Sequence, residues 1–153
     1  MRYFTKELWL KINDNNETIR IQAENEWKVN GLSYQQQLEE IKEHLPRKFI
    51  KDYFSRNGLH DYSILGMSMT KRNQEYSCDL QLTNGTETVL VSMCGLKALQ
   101  IDVDSFQYCM QGKLTWGYSE FEIIHNNSIQ LSVLCDMQNE MRFRFKSIKL
   151  AKQ

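Results

Sequence analysis

The chain has 153 residues, of which 41% are hydrophobic and 25% are charged, and its 19 basic side chains equal its 19 acidic ones. This composition excludes a disordered chain, and it excludes collagen-like or Pro/Gly-rich sequences. A formal charge of zero argues against a dedicated nucleic-acid binder and against a polybasic membrane anchor.

The hydrophobic pattern changes near Gly58. Before this residue, apolar side chains recur with helical spacing, and after it they alternate with the period of a strand. Each part is close to neutral, since residues 1–58 carry 10 basic and 9 acidic side chains and residues 59–153 carry 9 and 10. We therefore predict one domain over residues 1–153, with a helical segment at 1–58 and an antiparallel β segment at 59–153.

The helical segment is predicted to contain about four helices, which begin at Tyr3, at Glu17, after the cap Ser33, and at Pro46. Asn30-Gly31 predicts the end of the second helix, because glycine and asparagine terminate helices in the left-handed conformation. Gln36 stands three residues after Ser33 and completes a capping box. Pro46 suits a first helical turn, where its missing N–H costs nothing.

The β segment is predicted to form consecutive hairpins. Asn84-Gly85 predicts a two-residue hairpin loop, with Thr83 opposite Thr86. His125-Asn126-Asn127 predicts a three-residue loop with an asparagine in the left-handed conformation. Met137-Gln138-Asn139 predicts a third turn, and a change of side-chain parity near Ser147 indicates a bulge.

These elements predict an α+β fold, in which the N-terminal helices pack on a C-terminal antiparallel sheet of about seven strands. We expect the sheet to be strongly curved or barrel-like. The predicted register also places two rows of polar side chains on its outer face: Glu120, Ser132 and Arg144 in one, and Glu122, Gln130 and Lys146 in the other.

The sequence favours a cytoplasmic protein without a membrane segment. Lys6, Glu7 and Lys11 interrupt any apolar run that could serve as an export signal. No stretch approaches the roughly 18 apolar residues of a membrane span. The four cysteines are expected to be reduced, and we expect Cys109 to be the most reactive because it lies in an irregular segment.

His60-Asp61 allows two interpretations. The pair is similar to the His-Asp pair of metal-dependent phosphohydrolases, and a small hydrolase would use these two residues. That chemistry needs further His and Asp ligands, and the other histidines are His44 and His125 only. We therefore favour a turn-forming Asp61 with His60 at the junction of helices and sheet, and we expect neither a metal nor a catalytic residue.

Glu120 and Glu122 stand two residues apart on one strand, about 6–7 Å in strand geometry, which would suit a pair of glycosidase carboxylates. Their predicted rows contain Arg144 and Lys146, which favours a charge-balanced solvated face or a binding surface. Arg142, Arg144 and Lys146 form a basic row that could contact nucleic acid, and their neutralisation by Glu120 and Glu122 argues against that function.

Aromatic residues are concentrated in the least regular stretch, residues 105–118, which includes Tyr108, Trp116 and Tyr118. Loops on rigid scaffolds carry function more often than strands do, and tyrosine and tryptophan are favoured binding anchors. This stretch is predicted either to pack at the sheet edge or to form part of a ligand or partner site.

Three short elements are similar to a family of small, mostly Gram-positive bacterial proteins of unknown function. They are the opening Met1–Glu7, the segment Leu59-His60-Asp61, and Trp116, Tyr118 and Glu120-Phe121-Glu122 near the C-terminus. The resemblance implies a cytoplasmic bacterial protein and no catalytic residues. Residues 13–16 depart from it.

We therefore expect a non-enzymatic binding or interaction protein without a cofactor. Its partner would be a protein or a small ligand, and it would be a monomer or a homodimer. Its expected contact residues are Tyr108, Trp116, Tyr118, Glu120, Glu122, Arg144, His60 and Asp61. The alternatives are the small hydrolase using His60 and Asp61, and a nucleic-acid-binding module.

Overall fold

A computed structural model describes residues 1–125, 128–136 and 139–153. The described helices are α1 (Lys6–Ile12), α2 (Glu17–Lys42), α3 (Arg47–Phe54) and α4 (Val103–Met110), with a 3-10 turn at Asn57–Leu59. The described strands are β1 (Ser63–Arg72), β2 (Glu75–Thr83), β3 (Thr88–Leu96), β4 (Ala98–Ile101), β5 (Leu114–Ile124), β6 (Ser128–Cys135), β7 (Glu140–Phe145) and β8 (Ser147–Lys152).

The strands form one antiparallel sheet in the order β4-β7-β6-β5-β1-β2-β3-β8. The predicted α+β class with an antiparallel sheet is confirmed. The strand count is eight rather than about seven, and across the described residues the strands do not close into a barrel. In the same part of the chain, no helix combines the length and the hydropathy that a membrane span requires.

Two backbone hydrogen bonds join the β3–β4 connection to the β7–β8 connection. The Lys97 N–H donates to the Arg144 carbonyl at 2.7 Å and the Lys146 N–H donates to the Cys94 carbonyl at 3.0 Å. Gly95 has a φ of +63°, and a Cβ there would lie 2.7 Å from the Lys146 side chain. Glycine is therefore favoured at this position, which lies next to the predicted irregularity at Ser147.

The predicted stop at Asn30-Gly31 is wrong, because α2 runs without a break through both residues. The Asn30 side chain donates to the Tyr3 carbonyl at 3.0 Å, and Gly31 faces the ring of Phe4. Both residues contact the N-terminal segment and hold it against α2, and neither residue ends the helix. Local terminator signals are overridden here by a tertiary contact.

The first predicted helix is also shorter than expected, since α1 begins at Lys6. Thr5 is its N-cap, and its side chain accepts the Leu8 N–H at 3.2 Å. The four residues before the cap are therefore free to lie along the sheet. This segment reaches strand β5, as described below.

The β2–β3 hairpin differs from prediction by two residues, because Thr83 pairs with Thr88 rather than with Thr86. The Asn84 side chain accepts the N–H groups of Thr86 and Glu87, at 3.0 and 2.9 Å. This side-chain turn holds a four-residue loop in place of the predicted two-residue loop. A shift of two preserves the face of every side chain, so the alternation along these strands is unaffected.

The β5–β6 register is as predicted, with Phe121 opposite Leu131. The β6–β7 register is wrong by two residues, because the Cys135 N–H donates to the Asn139 carbonyl at 2.7 Å and tightens the connection. The observed rows are Glu120, Ser132 and Arg142, and Glu122, Gln130 and Arg144. Asn126, Asn127, Met137 and Gln138 lie outside the described residues, so the details predicted for their turns are not described.

The prediction of an irregular stretch at 105–118 is wrong. Helix α4 occupies its first half, and β5 begins at Leu114. Asp102 caps α4 by accepting the Ser105 N–H at 2.7 Å, and this capping signal was missed. The Trp116 side chain, expected in a loop, is fully buried in the core that the sheet forms with the helices.

Candidate functional site

A cleft of about 570 Å³ lies between α2, α3, the turn at 57–60 and strand β5. Its walls carry six aromatic side chains: Phe4, Tyr34, Tyr53, Phe54, Tyr118 and Phe121. The other lining residues are His60 and seven uncharged residues: Gly31, Gln35, Leu38, Asn57, Gly58, Gly117 and Ser119. Among the described residues, no lysine, arginine, aspartate or glutamate lines this aromatic cleft, whose volume is typical of small-ligand sites.

The aromatic walls come from both ends of the chain and hold one another in place. The Phe4 ring lies 5.0 Å from the Trp27 ring and 5.6 Å from the Tyr118 ring, measured between centroids. Tyr53 meets the Phe121 ring edge-on at 5.5 Å. The edge-to-face contact is a favoured geometry of aromatic pairs, and together these contacts position the walls.

Two hydroxyl groups of the cleft lining are paired with each other. The Tyr53 hydroxyl hydrogen-bonds with the Ser119 hydroxyl. The buried indole N–H of Trp116 forms no hydrogen bond with the described residues, although it lies close enough to Tyr53 to favour the ionised phenol. Burial outweighs both neighbours and raises the pKa of Tyr53 to about 12, so the phenol stays protonated.

Strand β5 has a free edge beside the cleft. On the β1 side its pairing covers Leu114 and Thr115 only, and two further hydrogen bonds join Trp116 to residues 61–62. The chain then turns away at His60. Beyond Trp116, therefore, no strand of the described chain covers this edge.

The free edge is partly satisfied by a side chain. The Phe121 N–H donates to the Tyr34 hydroxyl at 2.7 Å, and burial raises the Tyr34 pKa above its usual range. Because N–H groups alternate along an antiparallel strand, the Ser119 N–H points to the same side. Within the described residues it forms no hydrogen bond with a side chain or with a loop carbonyl.

The turn that closes the cleft has an unusual backbone. Positive φ angles occur at four of its residues: Asn57, Gly58, Leu59 and Asp61. Such angles are costly for residues with a Cβ, and they concentrate at functional sites. The turn presents His60, whose Nδ1 lies 3.0 Å from the Asp61 carboxylate and whose ring meets the Tyr118 ring edge-on at 4.9 Å.

Two further cavities adjoin the aromatic cleft at Tyr118. One, of about 210 Å³, shares His60, Gly117 and Tyr118 with the cleft; its other lining residues are Trp9, Asp61, Thr115, Trp116, Leu134, Cys135 and Asp136. The other, of about 340 Å³, lies between α1 and α2; it is lined by Trp9, Ile12, Asn13, Glu24, Trp27, Lys28 and Tyr118. Four predicted contact residues, His60, Asp61, Trp116 and Tyr118, are thus brought together around one cavity.

The predicted solvated position of Glu120 is wrong, because its carboxylate is buried under the N-terminal segment. It accepts three backbone hydrogen bonds, from the N–H groups of Arg2, Tyr3 and Phe4, at 2.7, 2.8 and 2.6 Å. The Met1 amine lies 2.8 Å from the Glu140 carboxylate. Glu120 therefore fixes the segment that carries Phe4 into the cleft.

The remaining predicted contact residues lie away from the cleft. Glu122 is exposed and accepts a hydrogen bond from Gln130 at 3.2 Å, and Arg144 is exposed in the same row. Tyr108 lies on α4 and packs against the core. The charges along the rows are not paired as predicted. Arg142, which lies in the observed row of Glu120, pairs with Glu140 at 2.5 Å.

The four cysteines form no disulfide. The prediction that Cys109 is the most reactive is wrong, because α4 buries it fully and burial raises its pKa. Cys94 is the half-exposed thiol. In the described part of the chain, no group of three or more His, Cys, Asp or Glu residues is arranged to hold a metal ion.

Comparison of the chain with protein-family models, with curated proteins and with solved structures finds no match. The resemblance of its short elements to a bacterial family therefore stays a prediction.

Tyr34, Tyr53 and Ser119 were missed as site residues. Both tyrosines have the spacing of an apolar helix face, Tyr34 with Leu38 and Ile41 and Tyr53 with Phe49, and both are buried. Their hydroxyls reach β5, and no signal in the sequence of α2 or α3 specifies that contact. Ser119 alternates with Tyr118 and Glu120 like any polar strand residue.

Proposed function

We propose that this protein is a non-enzymatic binding protein whose ligand places an apolar or ring-shaped group in the aromatic cleft. The observation that carries the proposal is the cleft itself, a volume of about 570 Å³ with six aromatic walls and no charged lining residue among those described. Ligand pockets are typically apolar with a few polar groups that set orientation. Here Ser119 and His60 would supply those groups.

Titration with indole, followed by amide NMR shifts, tests this proposal. Indole is uncharged and planar and has one N–H donor, so it matches the walls and the hydroxyl acceptors. We expect saturable shifts at Gly58 and at residues 117–121. Unchanged amide shifts at millimolar indole would contradict the proposal.

A cleft-filling variant provides the matched control. Gly31 lines the cleft from within α2, so Gly31→Leu is expected to abolish indole binding. Asn25→Leu adds a leucine at an exposed position of the same helix and should leave binding unchanged. Equal binding by both variants would exclude the aromatic cleft as the indole site.

We also propose a cytoplasmic bacterial location, which the family resemblance supports. The four free thiols are compatible with a reducing compartment. This location is tested by treating intact source cells with a cysteine-alkylating reagent that cannot cross membranes. Labelling of Cys94 in intact cells would place the protein outside the cytoplasm.

The paired His60 and Asp61 support a second candidate, a small hydrolase. The Asp61 carboxylate lies 3.0 Å from His60 Nδ1, and His60 lines two cavities, so its imidazole would be the base. Hydrolysis of p-nitrophenyl acetate and p-nitrophenyl phosphate by the wild type and by His60→Ala tests this candidate. Equal rates for the two proteins would remove it.

A further inference from the structure

We propose that the ligand of the aromatic cleft is an extended peptide segment of a partner protein, which adds as a strand to the free edge of β5. This inference rests on the proposed function and names the chemistry of its ligand. The segment carries a large apolar side chain, which enters the cleft, and a nearby basic side chain, which enters the 210 Å³ cavity.

The backbone of β5 favours a strand-like ligand over a compact small molecule. The edge from Gly117 to Ser119 faces the cleft, and the Ser119 N–H points into the space that a neighbouring strand would occupy. A free sheet edge is a template for pairing with another chain, since every second N–H and carbonyl is available. The adjoining Phe121 N–H is already taken by Tyr34, which limits the open stretch to a few residues.

Gly117 lies on β5 where the aromatic cleft and the 210 Å³ cavity meet, since it lines both. A Cβ at residue 117 would lie 2.5 Å from the Leu134 carbonyl oxygen, so strand β6, on the side away from the free edge, excludes a side chain there.

The charges of the 210 Å³ cavity select a basic residue. Its lining includes Asp61 and Asp136, and no lysine or arginine lines it within the described residues. Asp136 uses Oδ1 to accept the Thr115 N–H at 2.7 Å, and the Asp61 side chain is 83% exposed. The acidic side chains that could pair with a ligand cation therefore lie in this cavity, whereas no carboxylate among the described residues lines the neighbouring cleft.

The two cavities adjoin each other beside β5. They share His60, Gly117 and Tyr118 as lining residues. A strand advances about 3.3 Å per residue and alternates its side chains, so nearby residues of one segment can occupy both. A single ring compound would fill the cleft and leave the acidic cavity empty.

The proposal is tested by titrating the ¹⁵N-labelled full chain with acetylated, amidated heptapeptides. The central residue of each peptide is Phe, Leu or Ser. Some of the flanking positions carry either lysines or glutamates, and the remaining flanking positions are threonine. We expect Phe- or Leu-centred peptides with lysines to bind at least about tenfold more tightly than Ser-centred or glutamate-bearing ones. The largest shifts are expected at the amides of Gly117, Tyr118 and Ser119.

Backbone pairing is tested by N-methylating each central amide of the tightest peptide in turn. Alternating amides face β5, so methylation at one parity should weaken binding about tenfold, and methylation at the other parity should not. Asp61→Asn should reduce the preference for lysine over glutamate. Asp79→Asn, which changes a carboxylate on β2 outside these cavities, should leave that preference intact.

The outcomes separate this inference from the proposed function. If indole binds the cleft but no heptapeptide shifts the β5 amides, the peptide proposal is overturned and a small-molecule site remains. If peptides bind but N-methylation at every position is harmless, strand addition is overturned. If neither indole nor any peptide binds, both proposals fail.

Discussion

Glu120 accepts the backbone N–H of Phe4 at 2.6 Å across 116 residues of sequence. The same carboxylate holds the N–H groups of Arg2 and Tyr3, so one buried acid fixes the segment that contributes Phe4 to the aromatic cleft.

Replacing Glu120 by Gln should destabilise the protein. The amide retains one acceptor oxygen, so at least one of the three N–H groups faces the side-chain NH₂ and is left without a partner. An unsatisfied buried donor costs about 1–3 kcal/mol, which urea denaturation would measure. Hydrogen exchange at Tyr3 and Phe4 should accelerate.

Glu122→Gln is the matched control for this prediction. Glu122 is exposed on the same strand two residues later, and its substitution should change the unfolding free energy by about 0.5 kcal/mol or less. Equal losses in the two variants would show that the clamp at Glu120 does not stabilise the fold.

Two glycines of the aromatic cleft should respond to alanine with opposite signs. Gly31 lies inside α2, and its Cβ would meet only Phe4, at 4.0 Å. Gly31→Ala should therefore stabilise the protein by about 0.5–1 kcal/mol, because alanine loses less backbone entropy in a helix. Thermal and urea unfolding would measure the change.

Gly117→Ala should instead destabilise by about 1–3 kcal/mol, since its Cβ would lie 2.5 Å from a backbone oxygen that cannot rotate away. A stability equal to that of the wild type would show that β5 and β6 can separate locally at this position.

Glu87 should contribute to acid sensitivity. Hydrogen bonds from Arg56 and Tyr62 lower its pKa to about 2, from an ordinary value of 4.5. A depressed pKa adds stability above pH 4.5, and this stability is lost as the pH falls from about 4.5 towards 2.

The test is urea unfolding of the wild type and of Glu87→Gln between pH 2 and pH 7. The variant should be less stable at neutral pH and should lose less stability on acidification. Parallel curves for the two proteins would contradict the assignment. Glu17→Gln changes an exposed carboxylate in the first turn of α2 and serves as the control.

The cysteines should differ in their reaction with iodoacetamide at pH 8. Burial raises the pKa of Cys78 to about 12 and raises the pKa values of Cys109 and Cys135 as well. Cys94 is the half-exposed thiol and should be labelled first. Mass spectrometry would show one modification in the folded protein and four after unfolding; early labelling of Cys109 would contradict its burial.

Short-range signals in the sequence predicted the elements that depend on local periodicity. The change from helical to strand spacing near Gly58, the alternation along β2 and β3, and the β5–β6 register all agree with the structure. These features need only the side-chain period and the burial of one face.

The errors occur where a distant partner satisfies a local signal. Asn30-Gly31 reads as a helix stop, yet both residues contact the N-terminal segment inside a continuous helix. The Asn84 error is local instead, because its side chain accepts N–H groups two and three residues later and holds a loop longer than the predicted two-residue turn. Glu120 reads as a surface carboxylate until the N-terminal segment covers it.

The zero net charge, the α+β class and the periodic core follow from the sequence by itself, because each depends on composition or on spacing within one element. The aromatic cleft required the tertiary structure. It exists because the segment before β1 pairs with β5 only as far as Trp116 and because Tyr34, Tyr53 and Phe4 converge on the edge left open. No spacing within a single element encodes that convergence, since it depends on how four separate segments pack.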